Sequence, residues 1–70
     1  MTQKEQILLH LEKYGSITPH EALKNYGIMR LASRINELRK DGHRIITQTV
    51  IRHYRDGKST THAKYLLEAR

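Results

Sequence analysis

Residues 19–42 read PHEALKNYGIMRLASRINELRKDG, and this stretch decides the fold. Thr18, just before it, is placed to cap a helix. Pro19 suits the first helical position, and Glu21 stands three residues after the cap, where its carboxylate can reach back to the Thr18 amide. Ile17 and Ala22 occupy the positions of a hydrophobic staple. The pattern predicts a short helix over about Pro19 to Asn25, with Ala22, Leu23 and Tyr26 as its apolar residues. Gly27 ends it tightly, which swings the next helix across it. That next helix is expected from Met29 to Asp41. Ile28, Leu31, Ala32, Ile35 and Leu38 form its buried stripe, and Arg30, Ser33, Arg34 and Glu37 share the opposite face at i, i+3, i+4 and i+7.

Upstream, Ile7, Leu8, Leu11 and Tyr14 recur at helical spacing between Thr2 and Tyr14. Lys4, Glu5, Glu12 and Lys13 lie on the other face of this amphipathic first helix. Gly15 suits a left-handed stop, and Ser16-Ile17-Thr18 reads as an extended connector. Downstream the period changes to two. Arg44 to Arg55 is rich in β-branched and aromatic residues, Asp56-Gly57-Lys58-Ser59 reads as a turn, and Thr60 to Leu67 supplies a return strand. Pairing across that turn places Ile46, Val50, Tyr54, Ala63, Tyr65 and Leu67 on one face. Ile45, Ile51 and Leu66 fall on the other, among Thr and His. Both faces carry apolar residues, so the inward one stays open along the whole length, and a bulge near Ile45-Ile46 could switch them. The expected fold is mainly α with a β-hairpin: a winged helix-turn-helix of three helices plus a two-stranded wing, in a single domain over residues 1–70.

Composition narrows the function. A chain of 70 residues buries only about 60% of the surface its unfolded form exposes, too little for an enclosed active site beside a substrate domain. It has no cysteine for a disulfide or thiolate metal site. Its apolar runs are too short for a membrane span, and its N-terminus lacks a signal-peptide layout. The expected location is intracellular, which for a bacterial or phage protein means the cytoplasm of the bacterial host cell. No nucleophile has a base and an orienting partner at recognisable spacing, and no glycine-rich phosphate loop occurs. The five histidines, His10, His20, His43, His53 and His62, lack metal-ligand spacing, although His53 and His62 would face each other across a four-residue hairpin loop. An enzyme, a metal, a cofactor and a small-molecule substrate are therefore not expected. Residues 1–27 carry three Lys/Arg against three Asp/Glu, so the net charge of +6 falls between Ile28 and Lys64. A sequence pI near 10.0 with that segregation points to a polyanion.

The stretch ALKNYGIMRLASRINELRKDGHRI resembles a family of short helix-turn-helix proteins common in phages and prophages, over about a third of the chain. The step from Ala22 to Gly27 is one residue longer than in the compact phage-repressor motif, which favours the looser turn of winged helices. In such a module the second helix of the motif enters the major groove. Met29, Arg30, Ser33, Arg34 and Glu37 are the candidates there, with Arg30 and Arg34 suited to guanine. Thr18, His20, Lys24, Lys40 and Arg44 are candidate phosphate contacts, though Thr18 is first a helix cap. Arg52, Arg55, Lys58 and Ser59 form a basic wing around Gly57. The expected function is sequence-specific binding of double-stranded DNA by a phage or prophage transcriptional regulator that acts by occupying its site, with a homodimer as a candidate arrangement. The alternative is a protein-binding winged helix that meets a host polymerase or defence protein through the same basic face. Such a face should expose large apolar residues, and on the outer side of the recognition helix only Met29 qualifies.

Overall fold

The computed structural model describes residues 1–68. Among them the elements run α1 (Gln3–Tyr14), β1 (Ser16–Ile17), α2 (Pro19–Tyr26), α3 (Leu31–Lys40), β2 (Ile45–His53) and β3 (Ser59–Leu67). Two helices begin with the same reciprocal hydrogen bonding. Thr18 Oγ1 accepts from the Glu21 amide at 3.2 Å, and Glu21 Oε1 accepts from the Thr18 amide at 3.0 Å. Thr2 and Glu5 repeat the device on α1, so Thr2 is that helix's cap rather than its first residue. At the other end of α2, Gly27 takes φ 67°, a left-handed conformation that a side chain would strain. Its amide donates to the Leu23 carbonyl at 2.9 Å, the bond of an αL cap, and the Ile28 amide adds a bond to the Ala22 carbonyl at 3.1 Å.

The core is one cluster: Ile7 and Leu11 of α1, Ile17 of β1, Ala22 of α2, Ile28, then Leu31, Ile35 and Leu38 of α3, closed by Ile45 and Tyr65 of the hairpin. Within it α1 packs against α2, α3, β1 and β3. His10 joins the core at 4% exposure, its Nδ1 2.7 Å from the Tyr26 hydroxyl and its ring 4.6 Å from that of Tyr14. At the far end of α1, Lys4 Nζ lies 2.6 Å from Asp41 Oδ2 and so ties α1 to the residue that ends α3. No helix among the described residues is long and apolar enough to cross a membrane.

Several sequence expectations shift. The two-stranded wing of the expected winged helix is present as β2 and β3, and the connector before α2 is a short strand that extends it to a three-stranded antiparallel sheet in the order β1-β3-β2. Gly15, at φ 84°, turns the chain so that its carbonyl accepts from the Leu67 amide at 3.1 Å and Ile17 falls opposite Tyr65. Helix α3 starts at Leu31 rather than Met29, because the Gly27–Ile28 closure buries Ile28 and leaves Met29 and Arg30 to complete the turn. Ala32 is exposed, not part of the buried stripe, and Tyr14 and Leu23 are exposed as well.

The hairpin register also differs. Five residues, Tyr54 to Lys58, separate the paired His53 and Ser59, and Thr60 pairs with Arg52. The Tyr54 amide donates to the Lys58 carbonyl at 2.9 Å, the Gly57 amide to the Tyr54 carbonyl at 3.2 Å, and Asp56 Oδ1 accepts from the Lys58 amide at 3.0 Å. An odd slip exchanges the two faces of a strand. Ile45, Tyr65 and Leu67 therefore share the inward face, while Ile46, Val50 and Leu66 turn outward, with no bulge between Ile45 and Ile46. The same slip puts His62 opposite Val50, so His53 and His62 do not face each other.

Ile45 is 7% exposed and Ile46 is 49% exposed, which makes them a direct test of register. Ile45→Ala is expected to lose about 2–5 kcal/mol in urea unfolding, and Ile46→Ala less than half of that. Equal losses would contradict the inward face described here. The hydrogen bond between Lys4 and Asp41 holds the Asp41 carboxyl below its ordinary 3.8 and raises Lys4 above 10.5. Asp41's contribution is thus present above the unfolded value and lost as pH falls through the lowered folded one. That of Lys4 is present below 10.5 and lost as pH rises through its raised value. Both side chains are partly exposed and screened, so the effect is small. Its expected sign is a shallower acid loss of stability in Lys4→Ala, measured by chemical denaturation as pH is lowered through 3.8; an unchanged slope would mean the pair is not formed in solution.

Candidate nucleic-acid interface

Helix α3 buries Leu31, Ile35 and Leu38, and that stripe determines what the rest of the helix presents. On the flank nearest α1, Arg34 Nη1 and Glu37 Oε1 are 2.6 Å apart and both side chains are partly covered. On the flank nearest the sheet, Arg39 Nε and Nη2 donate to the Ile45 carbonyl at 3.0 and 2.8 Å, and Nη2 donates to Thr47 Oγ1 at 2.8 Å. Between the flanks lie Ala32, Ser33, Asn36 and Lys40, all exposed.

The contact made by Arg39 has a structural purpose. The Tyr54 amide bonds across to Lys58 and the Glu68 amide to the Arg44 carbonyl, so the even positions of β2 bond to β3. The odd positions turn their amides and carbonyls to the free edge. Arg39 takes the first of those carbonyls, at Ile45, and fastens the base of the wing to α3 with a planar fork that lysine cannot reproduce.

The expected site residues divide accordingly. Met29, 85% exposed, and Arg30 stand before the first turn of α3. Arg30 is the N-cap residue, with no side-chain cap hydrogen bond, and not a member of the helical face it was assigned to. Ser33 is exposed on the outer row, whereas Arg34 and Glu37 pair with each other at its edge. The Thr18 hydroxyl is engaged with Glu21, while His20 and Lys24 are exposed on α2. Lys40 and Arg44 are exposed at the end of α3 and the start of the hairpin. In the wing Arg52, Arg55, Lys58 and Ser59 are exposed, and the Arg52 guanidinium stands 5.9 Å from the Tyr54 ring centroid. Arg30, Lys40, Arg44, Arg52, Arg55 and Lys58 have no ion-pair partner among the described residues.

Sequence reading missed Asn36 and Ala32. The expected stripe counts Ala32 as buried and assigns Asn36 to no face, whereas both are exposed. It also missed the role of Arg39, which no local pattern announces. The His10–Tyr26 contact was equally hidden, because the two residues are sixteen apart in sequence.

A family model described as a winged helix-turn-helix domain matches residues 2–70 of the chain. No curated protein matches it.

Arg39→Lys should keep the charge and lose the fork. The expected result is a loss of about 1 kcal/mol in unfolding free energy, with faster hydrogen exchange near the base of β2. Unchanged stability and exchange would show that the fork does not hold the wing.

Proposed function

We propose that this chain, which belongs to the winged helix-turn-helix domain family, binds double-stranded DNA. The observation that carries the reading is the placement of its free cations. Arg30 and Lys40 mark the two ends of α3, Arg44 follows, and Arg52, Arg55 and Lys58 gather at the wing, none of them ion-paired among the described residues. The acidic groups of this region are engaged, Glu37 with Arg34, Asp41 with Lys4, and Asp56 with the Lys58 amide. A surface that keeps its cations free and its carboxylates occupied suits phosphate.

In this reading the outer row of α3 faces the major groove, with Arg30 at its leading end, and the wing tip follows the neighbouring backbone or minor groove. The longest dimension of the protein, 42 Å, is on the scale of the roughly 34 Å of one duplex turn. His20 and Lys24 on α2 lie toward the flanking phosphates. The protein acts by occupying its site, without catalysis, metal or cofactor, as a phage or prophage regulator in the bacterial cytoplasm. A homodimer would double an interface that is small for one module.

The test is binding of a random duplex pool at two salt concentrations, with selection and sequencing. Enrichment of a motif is the expected result. The Arg55→Ala/Lys58→Ala variant should reduce the slope of log affinity against log salt by about 2, since each phosphate contact contributes about 0.9. Salt-sensitive binding without enrichment would reduce the role to an architectural one. No binding at low salt would overturn the reading and turn attention to a protein partner, for which the exposed Leu23 and Met29 beside the α2–α3 turn are the anchors.

A further inference from the structure

The outer row of α3 has a composition of its own. Its flanking arginines are committed, Arg34 to Glu37 at 2.6 Å and Arg39 to the Ile45 carbonyl at 2.8 Å. No free guanidinium therefore stands beside the middle of the row, and the usual reader of guanine is absent there. What remains exposed is the methyl of Ala32, the hydroxyl of Ser33, the amide of Asn36 and the ammonium of Lys40. Asn36 lies one turn after Ala32 on the same face, and helical side chains lean toward the N-terminus, so the two residues are neighbours on the surface of α3. Asparagine in a helix interior is a poorer helix former than alanine, lysine or glutamate, so Asn36 is not placed there to support the helix. Ala32 is small enough to let a base edge approach the helix backbone.

A planar amide that presents a donor and an acceptor side by side matches one base edge in the major groove, the N6 amino and N7 of adenine. A small apolar side chain beside it matches the C5-methyl of thymine. The geometry points to Asn36 as the reader of an adenine, with Ala32 against the methyl of a thymine in the same or the adjoining base pair. Asn36 and Ala32 are thus specificity-determining residues absent from the set expected by sequence. This inference rests on the duplex-binding reading above.

The test uses the whole chain and the duplex it selects from a random pool. Wild type and Asn36→Ala are compared on that duplex, then on copies in which single adenines are replaced by 7-deazaadenine, which lacks N7. The variant is expected to lose about 5- to 100-fold of the preference for adenine at one position. Its salt dependence should be unchanged, because no phosphate contact has gone. At that position 7-deazaadenine should weaken wild type and leave the variant unaffected. Alanine favours the helix, and a thermal melt followed by circular dichroism should show a folded variant. A folded variant that selects the same adenines, or 7-deazaadenine acting equally on both proteins, would overturn the inference and leave duplex binding intact. Failure of the wild type itself to bind any duplex would overturn the reading beneath it.

Discussion

The architecture depends on one buried seam, the face of α1 made by Ile7, His10 and Leu11. That helix packs against α2, α3, β1 and β3, and each of these meets solvent only on the side α1 does not cover. Leu31, Ile35 and Leu38 turn inward to complete the seam, and this rotation aims Ser33, Asn36 and Lys40 outward. A chain of this size has one core cluster with which to orient its helices, so orientation of the outer row and stability of the core are a single property.

Two secondary contacts convert that core into a surface with a defined shape. Pairing of Ser16 and Ile17 with Leu66 and Tyr65 binds the base of the hairpin to the helices. The Arg39 fork then fixes β2 against the end of α3. Beyond those anchors the hairpin is held by its own ladder and by the hydrogen-bonded turn around Gly57. The basic wing residues thus sit on the part of the fold with the least support from the core, where adaptation to a partner costs little.

How much of this was legible in the sequence follows from the range of each interaction. The Thr18–Glu21 box and the Gly27 stop depend on residues a few positions apart, and both stand as read, as does the succession of three helices and a hairpin; the strand Ser16–Ile17, whose partners lie some fifty residues away, does not announce itself locally. The sheet register was not legible. It depends on whether the hairpin loop holds four residues or five, and the apolar residues on both faces of β2 give opposite readings. The outer face of α3 was half legible. Leu31, Ile35 and Leu38 set the correct stripe, but Ala32, expected in it, is exposed in the structure beside Asn36. The Arg34–Glu37 pair is a local one, three residues apart, whereas the strand carbonyl that holds Arg39 is brought to it only by the fold.

The central claim is that the outer row of α3 and the wing tip form one duplex-facing surface. The most direct measurement is the change in NMR amide and side-chain signals as a duplex from a selected pool is added to the labelled chain. The account expects the largest changes at Ala32, Ser33 and Asn36, and at Arg55 and Lys58. Leu9 and Glu12, exposed on the side of α1 away from its buried seam, should stay near their free positions. Changes concentrated on α1, or on the outward face of the sheet at Ile46 and Leu66, with α3 silent, would contradict it.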